Sequence, residues 1–165
     1  MIRLARTSDG PRLRQIEAAA GEPFRELDMA RIADDTPPTL ETLAVYIDDG
    51  RCWVHTEDEV VSSYLIADVV DGYAHVEQVS VHPDYSGRRI GAALITQLDG
   101  WARDRGLAGL TLTTYRDVPW NAPYYNRLGF ETVDEPTAGL GAIRRHEALN
   151  GLDEWPRVAM RRAFT

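Results

Sequence analysis

The chain has 165 residues, 44% hydrophobic and 27% charged, which fits one globular domain large enough to bury a core. Its net charge of −8 disfavours sequence-independent binding to nucleic acid. A single cysteine, Cys52, excludes an internal disulfide, the four histidines show no zinc-ligand spacing, and no apolar run approaches the ~18 residues of a membrane span, so a cytoplasmic protein without metal or membrane partner is expected.

In chain order, residues 2–5 alternate like a short strand, and Thr7, Ser8 and Asp9 then supply N-cap chemistry ahead of Pro11 for a helix to about residue 20. A weaker helical stretch covers 27–33. After Pro37 and Pro38 comes a helix whose expected apolar face is Leu40, Leu43, Ala44 and Ile47. Residues 51–56, 60–69 and 73–81 read as three successive strands, the last two joined through Asp71-Gly72, a hairpin signal. Ile90, Leu94, Leu98 and Trp101 recur at helical spacing, and Gly106 closes that helix. A β-branched strand at 108–114 follows, parallel to the strand before the helix if the crossover is an ordinary βαβ unit. A short helix at 122–128, a strand at 130–133, a polar glycine-containing loop and a last strand at 157–164 complete the pattern as a single domain over 1–165.

The most informative segment is the passage from Val79 to Leu94, where an apolar strand breaks at Pro83, crosses a basic glycine turn and opens into a helix. Gly87 and Gly91 let the backbone approach a ligand, while Arg88 and Arg89 add charge. The N–H groups of Ile90, Gly91 and Ala92 form the helix's first turn, which attracts anions. Phosphate binding is the function this segment suggests.

That segment, together with Tyr124-Tyr125-Asn126-Arg127-Leu128-Gly129-Phe130, resembles the GNAT superfamily of acyl-CoA-dependent N-acetyltransferases over essentially the full length. The first stretch is similar to the family's Val-x-Val-x-Pro strand end and Gln/Arg-x-x-Gly-x-Gly/Ala turn, and the second to its Tyr-x-x-x-Gly-Phe. Aligned on Gly91, Ser86 stands at the usual Gln/Arg position and Arg89 at the first motif glycine. A side chain at position 89 calls for a negative φ there. The family's frequent Asn seven residues before the Tyr is Val118 here; Asn121 either takes a similar role or caps the short helix.

The resemblance implies an α/β (α+β) fold, with a mixed central sheet of about seven strands, helices on both faces, and a splay between the strand ending at Val81 and the following parallel strand. It further implies that acetyl-CoA is the cosubstrate, held by Val79, Val81, Gly87, Arg88, Arg89, Ile90, Gly91, Ala92, Asn121 and Tyr125. The backbone N–H of Val81 would face the oxyanion, and Tyr125 would be the general acid, with Tyr124 as its competitor. Glu77, two residues before Val79 on the same strand face, is the choice for a base acting through water, with His75 as runner-up. His82 and Cys52 are read as structural. The acceptor is expected to be a small-molecule amine, with Phe24, Arg25, Glu26 and residues 137–154 setting specificity. Arg144, Arg145, Arg157, Arg161 and Arg162 make the C-terminal region basic, suited either to an acceptor carboxylate or to a solvated surface. A protein or peptide acetyltransferase and a noncatalytic acyl-CoA-binding module are the alternatives, and the family admits a homodimer.

Overall fold

β-branched runs and amphipathic stretches separate along the chain into seven strands and six α-helices in the computed structural model, which describes all residues from Met1 to Thr165. The strands are β1 (Ile2–Leu4), β2 (Cys52–Glu57), β3 (Val60–Val70), β4 (Tyr73–Val81), β5 (Gly109–Tyr115), β6 (Glu131–Thr132) and β7 (Arg157–Ala163). The helices are α1 (Gly10–Gly21), α2 (Ala30–Ala33), α3 (Leu40–Asp48), α4 (Ile90–Asp104), α5 (Ala122–Arg127) and α6 (Ala138–Leu149). The strands form one mixed sheet in the order β1-β2-β3-β4-β5-β7-β6, with β4 and β5 parallel. This is the mixed seven-strand α/β architecture expected from the sequence. No helix is long and apolar enough to cross a membrane.

Turn chemistry fixes the hairpins. Asp71 and Gly72, between β3 and β4, have φ of 53° and 80°, the paired left-handed residues of a tight hairpin turn. The β2–β3 turn adopts the same signs with Asp58 at 50° and Glu59 at 66°, although neither residue is glycine.

Two compact units divide the chain, Met1–Ala67 with Glu77–Gln97, and Asp68–Val76 with Leu98–Thr165. In the first, Leu13 and Ile16 of α1 and Leu43 of α3 are buried in one cluster with Val54, Tyr64 and Ile66 of β2 and β3. Leu40, expected on the buried face of α3, is 46% exposed, because the groove it lines with Gly10, Pro11, Ala44 and Ile47 is open on that side. In the second unit β5 pairs with β7 along seven residues, from Gly109↔Ala163 to Tyr115↔Arg157. Phe130, Leu110 and Leu112 are buried there.

Two expectations need correction. Residues 27–33 are not a continuous helix: a 3-10 helix over Glu22–Leu27 ends at Asp28, whose φ of 58° stops it, and only the single turn of α2 follows. The polar loop before the last strand contains α6, twelve residues long. Its N-terminus is capped from a distance: the Asp71 carboxylate accepts the N–H of Gly139 at 2.8 Å, the N–H of Leu140 at 3.2 Å and the Thr137 hydroxyl. The Thr137 hydroxyl hydrogen bond lowers the Asp71 pKa most; burial opposes it, and the two N–H bonds lower it further.

Candidate functional site

β4 is paired with β5 at only two positions, Ala74↔Leu110 and His75↔Thr111, yet continues to Val81. Just beyond it, the His82 N–H donates to Ser62 O of β3 at 2.9 Å. Successive N–H groups of a strand point to opposite sides, so the Val81 N–H, next to that of His82, points away from β3. The terminal part of β4 therefore carries main-chain groups along an open edge.

Beyond the strand, His82 caps a short 3-10 turn, its Nδ1 accepting the Asp84 N–H at 3.1 Å, which is the structural role expected of it. The chain then passes through Gly87 at φ 78° and Arg89 at φ 58°. The second value overturns the expectation of a negative φ at position 89. Arg89 adopts the left-handed conformation that a glycine would take there, at a cost of roughly 1–2 kcal/mol. The reason lies in α4: the Arg89 carbonyl accepts the Ala93 N–H at 3.1 Å, so Arg89 closes the helix and must turn the chain into it. The buried stripe of Ile90, Leu94, Ile95 and Leu98 holds that helix in place. The first-turn N–H groups of Ile90, Gly91 and Ala92 are left without carbonyl partners of their own helix and point out of its N-terminus.

The two arginines of this turn differ. Arg89 is exposed, whereas the Arg88 guanidinium is ion-paired with Glu57 and lies 5.2 Å from the centre of the Tyr85 ring. Glu57 comes from the end of β2, and no motif spacing reveals the pair.

On β4, Glu77 is exposed and Val79 and Val81 are half-buried, while Ser80 is buried beneath the strand. His75 is 1% exposed and its Nδ1 is hydrogen-bonded to Thr111 Oγ1 at 2.9 Å. Burial pushes its imidazole pKa down, with Asp68 and Glu147 acting in the opposite direction. It is a satisfied core histidine. Cys52 is equally sequestered; burial, with Asp9 adding to it, pushes its thiol up to about 12.

The second unit carries the aromatic candidates. Asn121 precedes α5 and its carbonyl accepts the Tyr125 N–H at 3.0 Å, so it caps through the backbone, while its side-chain amide donates to Trp120 O at 3.1 Å. The Tyr125 ring is 8% exposed and meets Tyr124 and Phe130 edge-on, with centroids 5.4 Å and 5.9 Å away. Burial first, and Tyr124 second, raise the phenol above its ordinary pKa, so Tyr125 holds its proton at neutral pH. Tyr124 is half-buried beside it.

The C-terminal arginines are mostly compensated. Arg144 pairs with Glu147 at 2.9 Å and Asp153 at 3.0 Å, and Arg157 with Glu147 at 3.0 Å. Arg162 reaches Leu128 O and Asp99, and Arg161 lies over the Tyr73 ring. Arg144, Arg157 and Arg162 are thus ion-paired within the second unit.

A family model described as acetyltransferase (GNAT) family matches residues 12–130. An acetyltransferase of Pectobacterium atrosepticum is 32% identical over 91 residues, covering 53% of this chain and 64% of that protein. The chain thus spans just under two-thirds of that relative. Among solved structures, the PaiA N-acetyltransferase of Thermoplasma acidophilum in complex with coenzyme A superposes with a TM-score of 0.73 at 14% identity, covering 99% of this chain and 98% of that one. The ribosomal-protein-S18-alanine N-acetyltransferase of Escherichia coli gives 0.67 at 21% identity, covering 100% and 94%. Both share the fold.

Proposed function

This chain belongs to the GNAT acetyltransferase family, and we propose that it transfers an acetyl group from acetyl-CoA to a primary amine of a small molecule by direct attack in a ternary complex. The observation that carries the reading is the run from the open edge of β4, through the left-handed residues Gly87 and Arg89, into the first turn of α4. Such a turn presents several N–H groups to one anion, which suits the pyrophosphate of acetyl-CoA. The solved coenzyme A complex with the same fold supports it.

In this reading Gly87 to Ala92 hold the pyrophosphate, and Val79 and Val81 bond the pantetheine arm through their backbones. Glu77, through a water, takes the proton of the acceptor ammonium; an ordinary amine with a pKa of ~10 is charged at neutral pH and cannot attack without this step. The free amine nitrogen attacks the thioester carbonyl, and the negative oxygen of the tetrahedral intermediate accepts the Val81 N–H, a contact of a type that contributes ~10²–10³ in rate. The intermediate collapses with cleavage of the carbon–sulfur bond. Tyr125, protonated, gives its proton to the departing thiolate and regains one through water from the attacking nitrogen, which sheds its second proton as the amide forms.

Release of free thiol from acetyl-CoA, measured against a pooled amine library, tests the reading. Acceptor-dependent thiol is the expected result; coenzyme A binding without it marks a noncatalytic binding module. The Escherichia coli neighbour is named for the alanine of a ribosomal protein, so the pool includes alanine-terminated peptides. Turnover with those alone moves the acceptor class from small molecules to proteins.

A further inference from the structure

Beneath β4 lies a hydrogen-bond network that the reaction above does not use. Glu17 sits on α1 beside Leu13 and Ile16, both 0% exposed, an unfavourable neighbourhood for a carboxylate. Its Oε2 accepts the Tyr64 hydroxyl of β3 at 2.8 Å and the Ser80 hydroxyl of β4 at 2.6 Å. Ser80 Oγ in turn accepts the Gln78 side-chain amide at 2.9 Å. No cationic side chain pairs with Glu17. Burial raises its pKa most, the Ser80 and Tyr64 hydroxyls work against that, and Asp35 adds to it.

A largely buried carboxylate without a cation is a weak source of stability, and apolar residues of similar size serve packing better. What distinguishes this one is where it holds the chain. Ser80 lies between Val79 and Val81, in the stretch of β4 beyond its last β5 pair, so this part of the strand lacks a neighbour on one side. On its paired side it is held by β3, where the His82 N–H also reaches Ser62 O, and from below by Ser80 to Glu17. A side chain pinned at residue 80 sets the rotation of the peptide that carries the Val81 N–H. An error of about 1 Å in such a group is worth up to ~10² in rate.

We propose that Glu17 is a positioning residue that acts through Ser80 to aim the Val81 N–H at the developing oxyanion. The role rests on the reading of β4 as the strand that meets the thioester. Glu17 touches neither substrate nor cosubstrate; it holds the strand that does.

Four variants test it, each assayed for folded fraction by thermal unfolding, for coenzyme A affinity by titration, and for kcat and KM by thiol release. In Glu17→Ala, kcat falls about tenfold while the KM for acetyl-CoA stays within about twofold, because an oxyanion contact is strongest in the transition state. Glu17→Gln restores most of kcat, since its amide oxygen accepts the same two hydroxyls. Should Glu17→Ala fail to fold, Ser80→Ala and Tyr64→Phe decide: each removes one hydroxyl from Glu17, and the loss of kcat is larger for Ser80→Ala because only Ser80 is on β4. A folded Glu17→Ala with wild-type kcat overturns the role. So do equal deficits in the Ala and Gln variants, or a Tyr64→Phe deficit matching that of Ser80→Ala. A wild type that binds coenzyme A but shows no acceptor-dependent turnover overturns the proposed reaction, and this role with it. An active wild type lacking the pattern overturns only the role.

Discussion

The N-termini of α4 and α6 pose the same electrostatic problem and solve it in opposite ways. Each begins with N–H groups that have no partner in their own helix and that carry a partial positive charge. At α6 the Asp71 carboxylate, delivered by the β3–β4 turn, accepts two of them and the Thr137 hydroxyl. At α4 the residue that opens the helix is Arg89, whose side chain has no acceptor to offer, and the chain bends into the helix through two left-handed residues, Gly87 and Arg89 itself. One terminus is filled by the protein's own anion and serves structure. The other keeps the exposed Arg89 beside it, with Arg88 held by Glu57, and on the reading proposed above takes an external anion. The acceptor's chemical type at each terminus, more than the helix itself, separates a cap from a binding site.

The sharpest test isolates binding at α4 from chemistry elsewhere. Tyr125→Phe leaves the α4 terminus untouched, so coenzyme A affinity measured by titration stays within about twofold, while kcat falls by ~10²–10⁴ for loss of the general acid. An unchanged kcat moves the proton to Tyr124 or to water. Arg89→Pro attacks the terminus directly: proline cannot adopt a φ of 58°. Losing one or two charge-assisted N–H bonds to the pyrophosphate weakens acetyl-CoA binding about tenfold to a hundredfold. Arg89→Asn, which tolerates the left-handed region, serves as its control and retains most of the affinity. Equal losses in the two variants would show that the guanidinium, and not the backbone, does the binding.

At α6 the comparison predicts an effect on stability alone. Asp71→Asn removes the charge from the cap and lowers the Tm by a few degrees, with acetyl-CoA affinity unchanged. The pH dependence follows from the direction of the shift. The Asp71 pKa is lowered in the folded chain, so its contribution is complete above the unfolded value of about 4 and is lost as pH falls through the lower folded value. Thermal unfolding from pH 7 downward shows a steeper decline for the wild type than for Asp71→Asn.

The sequence makes one of these termini legible and hides the other. Val79 to Leu94 shows the break at Pro83, the glycine turn and the apolar stripe of α4 in one continuous stretch, and the hairpin at Asp71-Gly72 is equally local. α6 escapes because Gly139 and Gly141 interrupt its first turns and the run Arg144-Arg145-His146-Glu147 resembles a solvated loop. Thr137 at its start and Asn150-Gly151 at its end were the available signals. The φ of Arg89 has the opposite sign to the steric expectation because the preference of one residue, worth ~1–2 kcal/mol, yields to the packing of a whole helix. Partners distant in sequence leave no pattern at all: Asp71 lies 66 residues from Thr137, and Ser80 lies 63 from Glu17. For Glu17 a trace exists, a carboxylate on the same helical stripe as Leu13 and Ile16.

The smallest expected effect comes from Glu57, which gives the α4 turn a partial version of the plug seen at α6. Its carboxylate does not reach the helix N–H groups; it holds Arg88 instead, and the pair is largely solvent-exposed, with 52% of the Arg88 side chain accessible. On the reading proposed above, a pyrophosphate entering the turn makes Arg88 exchange a carboxylate for a phosphate partner, and the cost of breaking the first pair subtracts from the gain of the second. Exposed pairs of this kind are worth ~0–1 kcal/mol, which bounds the change in affinity at about fivefold. Glu57→Gln therefore tightens acetyl-CoA binding about two- to threefold and steepens its dependence on salt, because a freed guanidinium adds one screened attraction. The gain disappears when Arg88→Gln is already present, since Glu57 acts only through that side chain. Tightening that persists in the Arg88→Gln background would mean that the Glu57 charge repels the cosubstrate directly, and the α4 turn would then be biased by a long-range field and not by an exchangeable pair.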